Sequence, residues 1–452
     1  MAKTAIRDFT SGELFKPMLW FSIPFMVSNA LQVLYSMTDM LIVGKFVGSS
    51  GISAIMTGGF VVMFLMMVGM GMATGGQVLI SQLVGKGERH KLDQAIGTLL
   101  TMCAVIAVVV SILSLFLTRF ILELMDTPPE AFAMAQHYLT ICGGGLLFIY
   151  IYNAVAAVLR GVGDSVRPFK FIVISALLNI VLDLLFVAVF KWQVAGAAAA
   201  TVISQAVAMT LALHYIYKCR SEFGFEFKPV NFICRKEMLG ALIKLGVPFA
   251  VRFGAINISM IFVASLINSL GVAASAAFGI ALRLDELANK ISQGVMMAVS
   301  TIVGQNMGAG NFRRVRLGVY YAWEICGGFF LVYGVIMYLF NRELFSFFTG
   351  DAQVLELAPV IVTALLLHYP ALLIMKGTNG FVQGIGNAVF GLIIALLDGF
   401  VCRIFFSWLF GIKLNMGLSG MVLGYALATY STALPNLFYF LFVPWHKRKT
   451  VI

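Results

Sequence analysis

Long apolar stretches separated by short polar segments dominate the pattern of the chain. Twelve of these stretches reach the length of about 20 residues that a helix needs to cross a bilayer. They cover residues 17–44, 52–83, 94–122, 132–159, 169–190, 194–217, 239–270, 274–306, 315–340, 354–382, 388–411 and 417–444. The strand-type alternation of a membrane barrel does not occur in the sequence. The pattern predicts an all-α polytopic membrane protein with 12 transmembrane helices.

The same motifs return in the second half of the chain. The triplet IPF at 23–25 recurs as VPF at 247–249, and the turn GVGD at 161–164 recurs as GIGN at 384–387. Six spans per copy is an even number, so both copies cross the membrane in the same direction. We therefore predict two parallel six-helix repeats with a central cleft, divided into domains 1–230 and 231–452.

Composition and charge agree with a membrane protein. The chain is 60% hydrophobic and only 11% charged, whereas about 25% of residues in soluble domains are charged. Twenty basic residues lie in segments on the side of the amino terminus, and five lie opposite, namely Lys45, Arg119, Lys191, Arg342 and Lys413. This asymmetry predicts that both termini are cytoplasmic, in the plasma (inner) membrane of a prokaryote. The net charge of +11 thus encodes orientation, and no nucleic-acid partner is expected.

No motif for an enzyme, a metal site or a bound cofactor is found. The six cysteines and five histidines are scattered, without CxxC or HExxH spacing. We expect a monomer whose partners are the lipid bilayer and small organic molecules.

Polar residues in the first repeat point to a cation site. Asp39 is an ionisable residue within the first span, and Tyr35 lies one turn before it on the same face. An ionisable group at membrane depth is a candidate functional site. Neighbouring spans offer further oxygen and amide groups, namely Asn153, Ser175, Asn179, Asp183, Thr201 and Gln205. Carboxylate, amide and hydroxyl oxygens suit either a proton or Na⁺, and Asp39, Asn179 and Asp183 are the candidate Na⁺ ligands. The alternative is that Asn179 and Asp183 only join helices.

Several motifs together resemble the multidrug and toxic compound extrusion (MATE) family. They are the PF of the first span, the TDMLIVG ending at 38–44, the Gln-x-x-Gly-x-Gly segments that begin at Gln82 and Gln305, the paired turns, and NIVLDLLF at 179–186. The resemblance implies efflux of amphipathic, often cationic, organic compounds, driven by an inward H⁺ or Na⁺ gradient. In its DinF-like branch, the cation site matches Asp39, Asn153, Asn179, Asp183 and Thr201. The alternative is a lipid-linked precursor flippase of the same superfamily.

The second repeat lacks acids opposite Asp39 and Asp183, so ion coupling is not expected there. Lys376 is instead predicted to form a buried structural pair with Asp398. The segment 281–294 is interpreted as a hydrated face, in which Arg283 pairs with Glu286. Residues predicted to contact substrate are Gln32, Phe60, Phe64, Met67, Met70, Gln205, Asn257, Glu286 and Lys376.

Overall fold

A computed structural model describes residues 7–223 and 225–452, without the side chains of residues 256–258 and 261. These described residues contain helices and turns and no strand. The helices of the first repeat are α1 (Phe15–Phe46), α2 (Ser49–Lys86), α3 (Arg89–Leu124), α4 (Pro129–Gly144), α5 (Leu146–Gly161), α6 (Val166–Asp183), α7 (Gln193–Lys218) and the short α8 (Arg220–Phe223).

The second repeat also consists of helices joined by short turns. Its helices are α9 (Lys236–Asn268), α10 (Val272–Gly308), α11 (Phe312–Leu339), the short α12 (Asn341–Ser346), α13 (Ala352–Leu366), α14 (His368–Gly384), α15 (Ala388–Leu396), α16 (Ile404–Trp408), α17 (Gly417–Ala428) and α18 (Tyr430–Phe442). Wide π-helical turns extend α6 over Leu184–Val189 and flank α16 over Leu397–Arg403 and Leu409–Lys413.

Eight helices within the described residues are long and apolar enough to cross a membrane, or ten if each bent pair counts as one span. The two bent pairs are α4 with α5, at 46°, and α13 with α14, at 40°. The two remaining predicted spans are also helical. In α10, charges such as Asp285 and Lys290 lower the hydropathy, and α17 and α18 are each too short by themselves. The prediction of an all-helical polytopic membrane protein is confirmed.

The chain folds into two compact units. Unit 1 contains the first residues up to Asp8, residues Val27–Ala250 and the last two residues, and unit 2 contains Phe9–Met26 and Val251–Thr450. The chain therefore changes unit inside α1 and again inside α9, a few residues after Pro24 and Pro248. The boundary predicted near residue 230 separates the two sequence repeats. The compact units differ from these repeats, because the first half of α1 belongs to unit 2 and the first half of α9 belongs to unit 1.

Unit 2 has a core into which the first half of α1 packs. Met18 and Phe21 are at most 1% exposed and belong to the same apolar cluster as Val299 and Phe381. In unit 1, the first half of α9 lies so close to α2 that no side chain fits between the two backbones at the contact. A methyl group on Gly71 would be 2.5 Å from the backbone nitrogen of Ala250. Burial of large apolar side chains and close backbone approach thus fix the unit to which each half-helix belongs.

The repeated glutamine motif holds the ends of the chain. In unit 2, the side-chain oxygen of Gln305 accepts a hydrogen bond of 3.0 Å from the backbone N–H of Phe9. In unit 1, Gln82 accepts one of 2.9 Å from the backbone N–H of Val451. Each copy of the motif therefore anchors a segment that is distant in sequence.

The GVGD turn of unit 1 organises the start of α6. The Asp164 carboxylate accepts hydrogen bonds from the backbone N–H groups of Val166 and Arg167 and lies 3.2 Å from the Arg167 guanidinium. Burial raises the pKa of Asp164, and these three partners act in the opposite direction. Asp164 thus satisfies N–H groups that the first turn of a helix leaves unpaired.

Candidate functional site

Two carboxyl groups meet in unit 1. Asp39 lies near the end of α1, and Asp183 is the last residue of α6, directly before the π-helical turns. The two side chains lie within hydrogen-bonding range of each other. Ionised carboxylates only accept hydrogen bonds, so this pair forms none until one of them carries a proton or a cation lies between them. π-Helical turns are frequent at functional sites.

The atoms around this pair are short of hydrogen-bond partners. Both carboxyl oxygens of Asp183, one of Asp39 and both polar side-chain atoms of Asn179 are buried and unpaired among the described residues. Asp183 is 0% exposed and Asn179 is 2% exposed. Folded proteins leave few such atoms, and each requires an explanation such as a bound ion or a catalytic role. The unpaired atoms identify Asp39, Asn179 and Asp183 as the centre of the site.

Three further groups surround the carboxyl pair. Tyr35, one turn before Asp39 on α1, interacts electrostatically with both carboxyl groups. Tyr138 and Cys142, one turn apart on α4, both interact electrostatically with Asp39. The sequence analysis did not select these two α4 residues. Their spacing of four residues, which puts them on one helix face, was the available signal.

The other predicted coupling residues, Asn153 and Thr201, have contacts on their own helices. The Asn153 amide donates a hydrogen bond of 2.8 Å to the carbonyl of Ile149 on its own helix. The backbone carbonyl of Thr201 accepts one of 2.9 Å from the Ser204 hydroxyl. Among the described residues, neither Asn153 nor Thr201 interacts with Asp39 or Asp183. Their roles as cation ligands stay predictions.

The residues predicted to contact substrate occur in different environments. Gln32 and Phe60 are exposed, Met67 and Lys376 are buried, and Asn257 has a side chain outside the described part. The half-buried ones are Phe64, Met70, Gln205 and Glu286. An apolar groove of about 610 Å³ on unit 2 is lined by other residues, including Phe330, Leu366 and Tyr369. The contribution of the predicted residues to a substrate cavity stays a prediction.

Asp398 and Lys376 do not form the predicted pair. Asp398 receives two hydrogen bonds of 3.0 and 3.1 Å from the Arg403 guanidinium and one of 3.2 Å from the Thr432 hydroxyl. Lys376 instead donates to both the side-chain and the backbone oxygen of Asn289. Arg403 lies five residues after Asp398 in the π-helical stretch, where the wider turn brings i and i+5 together. The prediction was wrong because it assumed that Lys376 faces Asp398 across adjacent spans, whereas the π-helical turn gives Asp398 a partner on its own helix.

Unit 2 also buries an acid that the sequence analysis missed. Asp285 on α10 is 2% exposed and contacts Tyr425 and His368. The segment that contains it was interpreted as a hydrated face because it is rich in charge. The predicted Arg283–Glu286 pair does form, at 3.2 Å. Helix periodicity separates these two faces, since Asp285 points inward while Arg283 and Glu286 reach solvent.

The described residues contain no group of three or more His, Cys, Asp or Glu side chains that could hold a metal ion. A transition-metal centre built on such ligands is therefore not observed in this part of the chain. The pair of carboxyl groups with Asn179 has a different chemistry. Hard oxygen donors of this kind suit a proton or an alkali cation.

Comparisons with known proteins bear on the whole chain. The MatE family model matches residues 24–185 and again residues 248–409. The second match thus begins 224 residues after the first, which confirms that the two halves of the chain are repeats. Both matches include the positions of the paired turns.

Curated relatives and a solved structure are similar over nearly the full length. A Bacillus subtilis protein named "Probable multidrug resistance protein YpnP" is 29% identical over 98% of this chain and 98% of its own. A Thermotoga maritima protein named "Probable multidrug resistance protein NorM" is 26% identical over 96% of this chain and 94% of its own. An outward-facing multidrug resistance MATE family transporter superposes with a TM-score of 0.91, at 23% identity over 97% of each chain.

The all-helical fold, the duplicated family match and the extent of these similarities lead to one assignment. The chain belongs to the MatE family, whose members are multi-pass membrane transporters and not enzymes.

Proposed function

We propose that this protein is a secondary active exporter of amphipathic, often cationic, organic compounds. Export is coupled to inward movement of H⁺ or Na⁺ through the Asp39–Asp183 pair, with no cofactor beyond the coupling ion. The relatives named as multidrug resistance proteins support this class of substrate. The observation that carries the coupling proposal is the set of buried, unpaired polar atoms of Asp39, Asn179 and Asp183.

The chemistry of the pair explains why an ion would bind there. Two carboxylates side by side repel each other, and burial removes the water that would screen them. A proton on one of them, or a cation between them, relieves both costs. Transport requires that this ion be taken up and lost again, so the site gains one positive charge and loses it again in each cycle.

The surroundings of the pair support this role rather than a purely structural one. A structural carboxylate at membrane depth is paired with a donor or a basic group, as Asp398 is with Arg403. Among the described residues, Asp183 has Asp39 as its charged neighbour and no Arg or Lys beside it. Tyr35 and Tyr138 add hydroxyl groups near the pair.

The coupling is tested with purified protein in proteoliposomes. A pH gradient and a Na⁺ gradient are imposed separately, and export of a fluorescent organic cation is followed in wild type, Asp39→Asn and Asp183→Asn. Both variants keep the side-chain shape and remove the charge, so gradient-driven export should fall to the level of empty liposomes. Asp126→Asn, at an exposed position, is the matched control and should transport like wild type. Full ion-coupled export by Asp39→Asn would refute the proposal.

The competing function, flipping of a lipid-linked precursor, calls for a basic cavity that binds pyrophosphate. Of the buried basic side chains Arg252, Lys376 and Arg403, the last two are engaged by Asn289 and Asp398, and Arg252 interacts electrostatically with Asp398. Complementation of a strain that lacks its envelope-precursor flippase distinguishes the two functions. We expect dye efflux without complementation.

We also propose that both termini and the linker between α8 and α9 are cytoplasmic, in a prokaryotic plasma membrane. Cys234 in this linker is exposed and has a free thiol. A membrane-impermeant maleimide should label it in inverted vesicles and leave it unlabelled in intact cells. Cys234→Ser removes this signal and controls for the other cysteines. Labelling of Cys234 in intact cells would reverse the orientation.

A further inference from the structure

A second set of buried ionisable groups lies in unit 2, apart from the Asp39–Asp183 pair. Asp285 on α10, His368 on α14, Tyr425 on α17 and Thr429 after it are each at most 4% exposed. His368 is the buried histidine of the chain, since His90, His137, His214 and His446 are exposed. From this cluster, we propose that His368 and Asp285 form a proton-binding centre in unit 2.

The hydrogen bonds of the cluster leave one position for an additional proton, between His368 and Asp285. The Tyr425 hydroxyl donates to Oδ2 of Asp285 at 3.0 Å, and Nε2 of His368 lies 3.0 Å from the Thr429 hydroxyl. Nδ1 of His368 and Oδ1 of Asp285 face each other at 3.4 Å, and both lack a hydrogen bond among the described residues. Neutral imidazole has one N–H, whereas imidazolium has two. When water delivers a proton to the ring, both nitrogens donate, one to Asp285 and one to Thr429.

The centre lies where two spans are interrupted. His368 is the first residue of α14, at the 40° bend from α13, and Thr429 separates α17 from α18. The Tyr430 hydroxyl donates to the carbonyl of Leu367 at 2.9 Å, which ties the two interruptions together. Transporters commonly place ion-binding groups at such discontinuous helices, because helix ends expose backbone dipoles and carbonyls there. Protonation of His368 would thus act directly on a bend.

The first repeat lacks this arrangement. The bend between α4 and α5 in unit 1 occurs at Gly145, which corresponds to His368 at the repeat shift of 223 residues. A glycine offers no group that binds a proton. The centre in unit 2 is therefore a feature of the second copy alone, and it does not depend on the Asp39–Asp183 pair being the coupling site.

The other charged groups nearby have hydrogen-bond or ion-pair partners of their own. Lys376, whose charge acts on Asp285, donates to Asn289. Arg403 lies 5.2 Å from the Tyr425 ring and forms its ion pair with Asp398.

Three tyrosines complete the surroundings of the centre. They are Tyr333, which donates to the carbonyl of Leu284, Tyr369, whose ring stacks on His368, and Tyr425. A proton bound to His368 raises the net charge of this buried group by one unit.

Histidine-selective NMR of the full chain in lipid nanodiscs tests the proposal. In a variant with the four exposed histidines replaced by Gln, His368 gives the single imidazole signal, so the assignment does not require changing His368. We expect this signal to pass from imidazolium to imidazole between about pH 5 and 9. A signal that stays in one protonation state over this range would overturn the proposal and leave the cluster as a static connection between helices.

Two variants in the same background distinguish the centre from its surroundings. Asp285→Asn removes the carboxylate that faces Nδ1, and it should lower the imidazolium-to-imidazole ratio at a given pH about tenfold or more. Asp39→Asn should leave that ratio unchanged, whether or not it abolishes transport. An unchanged ratio in Asp285→Asn would contradict the proposal. Loss of coupled export in Asp39→Asn tests the first site independently.

Discussion

Two buried carboxyl groups, Asp183 in unit 1 and Asp398 in unit 2, differ in how their oxygen atoms are satisfied. In unit 1, Asp183 faces another acid and both its oxygens are unpaired among the described residues. In unit 2, Asp398 is paired with Arg403 and Thr432. These two acids therefore have opposite surroundings. Asp398 has donors for its oxygens, whereas the oxygens of Asp183 have none among the described residues.

The largest effect is expected where a buried ion pair is broken. Asp398→Leu leaves the Arg403 guanidinium, 7% exposed, without its carboxylate. Such an uncompensated charge costs about 3–5 kcal/mol of stability, which should appear as a large fall in unfolding temperature of the detergent-purified protein. The double variant Asp398→Leu with Arg403→Met removes both charges and should regain most of the loss. If the single variant is as stable as wild type, the pair does not stabilise unit 2.

Removal of a buried acid should stabilise the protein in unit 1, whereas it destabilises the protein in unit 2. Asp183→Asn removes a buried charge that has no donor, so we expect a gain of about 1–3 kcal/mol in stability, together with loss of coupled transport. The matched control is Asp285→Asn in unit 2, which weakens contacts to Tyr425 and His368 and should destabilise. Unfolding temperatures of both variants at neutral pH give the comparison. Destabilisation by both would remove the distinction between the units.

A smaller difference between the units is expected in the hydrogen bonds that hold the segments before α1 and α9. In unit 2, the Arg314 guanidinium donates to the carbonyls of Phe9, Ser11 and Gly12 at 2.8–3.1 Å. In unit 1, the Thr101 hydroxyl donates to the carbonyl of Phe232 at 2.7 Å. Hydrogen bonds from a charged donor are stronger, so Arg314→Gln should cost about 2 kcal/mol and Thr101→Val about 1 kcal/mol. Equal costs in a thermal unfolding assay would contradict this ranking.

The smallest effect is expected at an exposed ion pair. Arg119 and Glu123 on α3 are 2.8 Å apart, with side chains 78% and 54% exposed. Water screens such pairs, so Glu123→Gln should leave the unfolding temperature within about 2 °C of wild type. The variant also provides a baseline for the buried substitutions above. A larger fall would show that this end of α3 is shielded from water.

The sequence predicted the features that depend on residues close together in the chain. Apolar length and periodicity gave the helices, and the helical spacing of Tyr35 and Asp39 gave one side of the carboxyl pair. The grouping of Asp183 with Asp39 came from polar groups on neighbouring spans and from what the MATE resemblance implies. The helices and the Tyr35–Asp39 spacing need only the geometry of a single helix.

The features that were missed depend on which helices become neighbours. Lys376 was paired with Asp398 on the assumption of adjacent spans, but its partner is Asn289 of α10. Asp285 was overlooked because its flanking charges dominate the hydropathy of that segment. The crossing of α1 and α9 between units also follows from packing of their first halves, for which the two prolines were the visible signal.

The exchange of half-helices has a consequence for biosynthesis. Phe9, Phe21 and Phe25 find their buried environment against residues of α10 and α14, which leave the ribosome more than 240 residues later. The start of the first helix must therefore remain in contact with lipid or with insertion factors while most of the protein is still being made. Late completion of long-range contacts slows folding. Final assembly of unit 2 thus awaits the carboxyl-terminal spans, and a chain truncated before α14 would be a substrate for membrane quality-control proteases.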